Sequence, residues 1–343
     1  MGMPLFNLQK VYRLSYIIRL MKTKFKPSFV LKNKHVQTTY ASFFRKLPEH
    51  NFHIEKFILS DGDFVECYWY NKPIQTNKPL VILFHGLAGS YKSPYIQGLM
   101  SKLDKDSYNS VLMHFRSCSG IINTKPIAYH SGKTDDALEF IESLKLRFTS
   151  SKFFSIGFSL GANMMLKLLG ELQTNSPFSA SVSVSAPMKL SLGSDKINKG
   201  LSKYYQSYLL KNLNALLEQK CELHDMKALI NLEKEDVQNL KTFWEFDEAY
   251  TAPIHGFDSA KDYYDKSSAH QYLRDIHTPT LIIHSKDDPF MPEEILPKED
   301  EISQSVELEI YENGGHVGFV NGSLFKPEYF LETRILEYFN KFN

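Results

Sequence analysis

Four short segments constrain the fold more than any other feature: "PLVILFHG", "SVLMHFRS", "KFFSIGFS" and "ASVSVSAP", each rich in β-branched and aromatic residues and nearly continuous in apolar character. A strand that is apolar throughout is buried on both faces, and this means a parallel sheet covered by helices on each side. Helix-length stretches around 93–105, 132–148 and 160–172 lie between these segments, so strand and helix alternate as an α/β fold requires. Two later segments, "TLIIHS" at 280–285 and "ELEIYE" at 307–312, read as further strands. "HIEKFILSDGDFVECYWYN" reads as two strands around a Ser-Asp-Gly-Asp turn. The expectation is an α/β fold with an eight-stranded, mostly parallel sheet that opens with an antiparallel hairpin.

From about Leu190 to Lys266 the alternation stops. "YYQSYLLKNLNALLEQ" and "EKEDVQNLKTFWEFDEAY" read as helices with no strand between them, which predicts a helical cap at about 190–266 inserted in a domain spanning 25–343. With 343 residues, 43% of them hydrophobic, the chain can bury one large core. Its 40 basic and 39 acidic residues leave a net charge of +1, no electrostatic footprint for a nucleic acid, and a preference for small or neutral partners. Cys67, Cys118 and Cys221 are odd in number and widely spaced, which argues against a disulfide framework or a zinc site and suits a cytoplasmic protein.

Residues 1–24 form a separate segment. Val11, Leu14, Ile18 and Met21 recur at helical spacing beside Lys10, Arg13 and Arg19, the pattern of an amphipathic helix. The uncharged stretch Leu14–Ile18 is far shorter than a signal core or the roughly 20 residues of a membrane span. Packing on the parent domain is the favoured reading. The other is contact with the inner face of a membrane, as a peripheral protein. A monomer is the default.

Within "FFSIGFSLGAN", Gly157, Ser159 and Gly161 form Gly-x-Ser-x-Gly just after a strand and just before the helical "LGANMMLKLLGEL", the setting of a nucleophile elbow. The tight turn demands glycines two residues either side, and it places the hydroxyl at a helix N-terminus, where free N–H groups favour negative charge. A serine needs a histidine to take its proton and a carboxylate to orient that histidine. "KDDPFMP" after "TLIIHS" supplies Asp287 and Asp288, and "NGGHVGF" after the last strand supplies His316. Asp288 is preferred because Pro289 and Pro292 suggest a rigid turn there, leaving Asp287 to bond locally. The oxyanion hole is expected from the N–H groups of Leu160 and of Leu87 in "LFHGLAGS", with His85 orienting that loop. His114, Cys118, His130 and Asp135 match no common metal spacing and read as structural, and Ser131 reads as the cap of the helix that starts near Lys133.

These residues, together with "HVQTTYASFFRK", "SPYIQGLM", "MHFRSCSG", "YHSGKTDD", "APIHGF" and "DDPFMP", resemble the YheT-like branch of the α/β-hydrolase superfamily from about Phe25 to the C-terminus. The resemblance implies the α/β-hydrolase fold, a catalytic Ser159, Asp288 and His316, a loop-borne oxyanion hole and ester hydrolysis that uses no cofactor and no metal. Eukaryotic relatives in that group include membrane-associated hydrolases acting on lipids. The expected function is a serine hydrolase that cleaves short to medium acyl esters or lipids through an acyl-enzyme. An acyltransferase with the same triad, a peptidase and a non-catalytic scaffold are the rivals.

Overall fold

The computed structural model describes residues 24–47, 49–71 and 77–343. The segment expected to form an amphipathic helix lies, but for Lys24, outside the described residues. Eight strands form one sheet: β1 (Phe52–Ile58), β2 (Phe64–Tyr70), β3 (Leu80–Phe84), β4 (Asn109–Met113), β5 (Phe153–Phe158), β6 (Phe178–Val184), β7 (Thr280–Ser285) and β8 (Val306–Tyr311). Their order is β1-β2-β4-β3-β5-β6-β7-β8. β2 pairs antiparallel with both β1 and β4, and every other pairing is parallel.

The apolar run of β3 is divided between the two faces of the sheet. Leu80, Ile82 and Phe84 pack on one side with Phe140, Ile141 and Leu144 of helix α3 (Asp135–Arg147) and Met165 and Leu169 of α4 (Leu160–Leu172). Val81 and Leu83 pack on the other with Ile96, Leu99 and Leu103 of α2 (Pro94–Lys105) and with Ile335 and Phe339 of the C-terminal helix. All five β3 residues are buried, as a strand sandwiched between helices must be.

Three elements had no counterpart in the sequence reading. One is α1 (Lys34–Phe44), started by Asn33, whose side chain accepts from the N–H groups of His35 and Val36. The others are the hairpin β9 (Val320–Ser323) and β10 (Lys326–Tyr329), and the C-terminal helix Phe330–Phe339. Two local expectations are corrected. "EKEDVQNLKTFWEFDEAY" is broken into Lys234–Val237, Phe243–Phe246 and a π-helical turn, Asp247–Thr251. Thr242 and Glu245 form a reciprocal capping box that starts a new helix within the segment. Ser131 caps nothing: its N–H donates to the Tyr263 hydroxyl and its carbonyl accepts from Asn163, so its backbone ties two elements together.

Between β6 and β7, residues 190–267 hold α5 (Leu190–Ile197), α6 (Ser202–Leu223), short helices and α7 (Ala260–Ser267). Trp244 and Tyr264 of this insertion pack on each other at 4.6 Å, and the indole N–H donates to Asp195. A buried ionic cluster fastens α6 to the sheet. Arg116 is 2% exposed and donates to Asp136, Asp61 and Asp63. Burial alone would raise the Asp63 carboxyl, but hydrogen bonds from Asn123, Thr124 and Phe64 outweigh it and hold it well below the usual carboxylate range. Lys220 of α6, also buried, donates to the carbonyl and side-chain oxygens of Asn123, and burial lowers its ammonium to about 8.

Removing one partner from such a cluster leaves buried charge uncompensated. Arg116→Met is therefore expected to lower folding stability by about 3–5 kcal/mol, measured by denaturant unfolding. A loss under about 1 kcal/mol would mean that the cluster is not integral to the fold.

Candidate active site

Parallel pairing places Phe84 of β3 opposite Gly157 of β5, so the chain leaves both strands at the same edge of the sheet. There Ser159 adopts φ 50° and ψ −119°, a conformation that non-glycine residues rarely occupy. Its N–H is held by the Val184 carbonyl at 2.9 Å, and its own carbonyl accepts from Ala162 and Asn163. The flanking glycines are steric requirements. A Cβ on Gly157 would sit 2.5 Å from the Ala162 Cα, and one on Gly161 would sit 2.4 Å from the His85 carbonyl oxygen.

The loops after β7 and β8 bring the other two predicted residues to the serine. His316 Nε2 lies 2.9 Å from Ser159 Oγ, and His316 Nδ1 lies 2.8 Å from Asp288 Oδ2. A carboxylate only accepts, so this pairing assigns the imidazole proton to Nδ1 and leaves Nε2 free to accept from the serine hydroxyl. Asp288 is 2% exposed, and its second oxygen accepts from the Phe290 N–H at 2.8 Å, closing a tight turn across Pro289. Phe290 stacks on the His316 ring at 4.1 Å. Asp287 does not reach the imidazole and accepts from the Gly315 N–H at 2.9 Å instead.

The histidine loop is fastened from several sides. Ser285 Oγ donates to the Gly315 carbonyl, Ser185 Oγ accepts from the Val317 N–H, and Thr38 Oγ1 of α1 accepts from the His316 N–H at 2.9 Å. Gly315 has φ 57°, and a Cβ there would meet the Lys34 carbonyl at 2.5 Å.

On the other side of Ser159, the turn after β3 has nearly all its amides committed. Gly86 N–H donates to the Tyr95 hydroxyl, Ala88 N–H to the Tyr129 hydroxyl, and Gly89 N–H to the Gly86 carbonyl. Leu87 N–H has no partner among the described residues. Leu160 is the first residue of α4, so its N–H has no carbonyl within the helix to bond. These are the two amides singled out from the sequence.

His85 shapes this turn. Its Nδ1–H donates to the Gly86 carbonyl at 2.7 Å and its Nε2 accepts from the Phe115 N–H at 3.1 Å, which fixes a neutral ring that burial lowers to about 4. His114 is likewise neutral, lowered by burial to about 3, with its Nε2 accepting from the Tyr91 N–H. His130 Nδ1 accepts from the Gly132 N–H. Burial pushes the Cys118 thiol up to about 12. Among the described residues, no three His, Cys, Asp or Glu side chains are grouped to hold a metal ion, and no helix is long and apolar enough to cross a membrane.

The family model described as alpha/beta hydrolase fold matches residues 79–323. The chain belongs to the α/β-hydrolase family. Among relatives of this hydrolase, YheT of Escherichia coli (strain K12), a protein whose name places it with the esterases, is 41% identical over 91% of this chain and 92% of its own length. A monoacylglycerol lipase of Saccharomyces cerevisiae is 28% identical over 71% of this chain and 55% of its own. Of solved structures, the Pyrococcus furiosus esterase Pf2001 superposes with a TM-score of 0.57 at 18% identity, covering 86% of this chain and 91% of that one, which is a likeness of fold.

Thr38, Tyr95, Tyr129 and Phe290 escaped the sequence reading. "HVQTTY", "SPYIQ", "YHSGKTDD" and "DDPFMP" contain them in turn, but nothing in strand or helix periodicity marks a hydroxyl or ring that meets a loop from another part of the chain.

His85 gives the hydrolase a pH-dependent stability. In the unfolded chain its imidazole takes a proton near pH 6.5, and in the fold only near pH 4, so the unfolded state binds more protons between these values and stability falls as pH drops through that window. The loss at full extent is about 3 kcal/mol. Denaturant midpoints of the wild type should therefore decline from pH 7 to pH 4 more steeply than those of His85→Asn. Equal slopes would contradict the assignment.

Proposed function

We propose that this member of the esterase-type α/β hydrolases cleaves carboxylic esters through an acyl-enzyme formed on Ser159. His316 takes the serine proton through Nε2 as Oγ attacks the ester carbonyl, and then gives it to the departing alkoxide. Asp288 holds the imidazole through Nδ1 and stabilises the imidazolium. The Leu87 and Leu160 amides receive the developing oxyanion. A water deprotonated by the same imidazole then releases the acid and regenerates the serine. The observation that carries this reading is the unbroken chain of contacts from Asp288 through His316 to Ser159, at 2.8 and 2.9 Å, on an elbow with positive φ.

The finer reading takes residues 25–343 as the hydrolase domain, preceded by the segment 1–24, and residues 190–266 as a cap bordering the acyl pocket. Its support is that the Ser202 hydroxyl donates to the Pro289 carbonyl and the Tyr205 ring lies 5.0 Å from that of Phe290, beside His316. The substrates are short to medium-chain esters or lipids, small molecules handled by a cytoplasmic monomer with peripheral access to the membrane's inner face. The chemistry calls for no cofactor.

Hydrolysis of a graded series of p-nitrophenyl esters, acetate to palmitate, tests the proposal. Ser159→Ala should lower kcat on the best ester by at least ~10⁴-fold, and Asp288→Asn by about 10⁴-fold. Asp287→Asn should cost far less, because Asp287 touches the loop and not the imidazole. Full turnover by Ser159→Ala would refute the nucleophile. Turnover only in the presence of an added alcohol, with ester exchange as the product, would turn the reading to acyl transfer.

A further inference from the structure

One face of the molecule gathers large apolar side chains in water. Phe29, Val30, Phe43, Phe44, Leu324 and Phe325 are 90, 48, 75, 68, 37 and 99% exposed. They come from the turn before Leu31, the C-terminal end of α1 and the tip of the β9–β10 hairpin. These segments are bound to one another: the Ser28 N–H donates to the Gly322 carbonyl, the Tyr40 hydroxyl donates to the Leu324 carbonyl, and the Tyr40 and Phe44 rings lie 5.2 Å apart. Leu31, Tyr40 and Val320 form a small buried core beneath them. The exposed rings therefore stand on a fixed base.

Charge in the segment that carries most of this face is unlike that of the rest of the chain. Residues 24–47 contain six Lys and Arg (Lys24, Lys26, Lys32, Lys34, Arg45 and Lys46) and no Asp or Glu, in a chain that is near neutrality overall. Lys24, Lys26, Lys32, Lys46 and Lys326 are exposed around the apolar residues, with Glu328 the acid on the hairpin. Aromatic rings ringed by lysines match a surface that is apolar within and negative at its rim.

We propose that this face docks on an anionic phospholipid bilayer, with the apolar side chains entering the interface and the lysines meeting lipid phosphates. It goes beyond the chemistry proposed above and rests on it in one respect only, that bilayer-borne esters become the substrate class. α1 links the two: one end carries Phe43 and Phe44, and Thr38, nearer its other end, accepts from the His316 N–H. An 11-residue helix is about 16 Å long, so docking brings the bilayer within one short helix of the triad.

The test is co-sedimentation of the full chain with vesicles of phosphatidylglycerol and phosphatidylcholine, or of phosphatidylcholine alone. The expected result is binding to the anionic vesicles only, weakened at about 0.5 M salt. Phe43→Ser/Phe44→Ser/Phe325→Ser should reduce the bound fraction about tenfold while leaving hydrolysis of a water-soluble ester intact. Lys32→Glu/Lys46→Glu should weaken binding in the same direction and keeps the proposal testable should the triple variant not fold. Ser159→Ala should sediment as the wild type does, so that loss of the chemical reading leaves the membrane result standing. Failure of the wild type to sediment with anionic vesicles would overturn the proposal, as would wild-type binding by the triple variant, which would assign binding to residues 1–23. A dimer in free solution that the triple variant abolishes would assign the face to a second copy instead.

Discussion

The contact on which the site depends is the one between Gly161 and His85. The Gly161 amide donates to the His85 carbonyl at 3.1 Å, an approach that any side chain at 161 would block. It holds the N-terminus of α4, which starts at Leu160, against the turn after β3, which carries Leu87. The parallel register of β3 and β5 makes this approach available, and His85 keeps it in shape by bonding its own turn and the Phe115 amide. In the proposed mechanism the Leu87 and Leu160 amides receive the oxyanion, and backbone dipoles held in place before substrate arrives are the kind that have catalytic value.

Opposite it, the histidine loop is held by elements far apart in the chain. Ser185 follows β6, Ser285 ends β7, Asp287 follows β7, and Thr38 lies in α1 near the N-terminus. Each bonds the backbone between Gly315 and Val317 and leaves the imidazole to Asp288 and Ser159. Backbone positions at 314, 315, 317 and 319 all have positive φ. Strain of this kind persists only where surrounding bonds over-determine the loop. The second aspartate of the pair is thus explained without a role on the ring.

The sheet was legible because its signal is local. Four apolar runs can be buried on both faces in few ways, and the division of Leu80, Ile82 and Phe84 from Val81 and Leu83 is the physical content of that pattern. Ser159, Asp288 and His316 could be singled out because each follows a strand, in the chain order this fold uses, and the structure brings the three together. What was not legible depends on distant partners. Thr38 looks like any helical threonine until the His316 loop, 278 residues later, is placed beside it, and Tyr95 and Tyr129 look like core aromatics until their hydroxyls meet the Gly86–Gly89 turn. The broken helix at 234–251 failed for the opposite reason, since a capping box inside a helical run reads as helix throughout unless Thr242 and Glu245 are paired. Charge was legible in part: Lys10, Arg13 and Arg19 stand out at the N-terminus, but a near-zero total hides that the basic stretch runs on to Lys46 with no acidic residue before Glu49.

The central claim is that Ser159 is the nucleophile of a preformed triad, and its most direct test is covalent. Treatment with a fluorophosphonate, followed by proteolysis and mass spectrometry, should find one phosphonylated residue, Ser159, with labelling abolished in His316→Ala, in which the serine has lost its base. Labelling at another residue, or equal labelling of wild type and His316→Ala, would contradict the account.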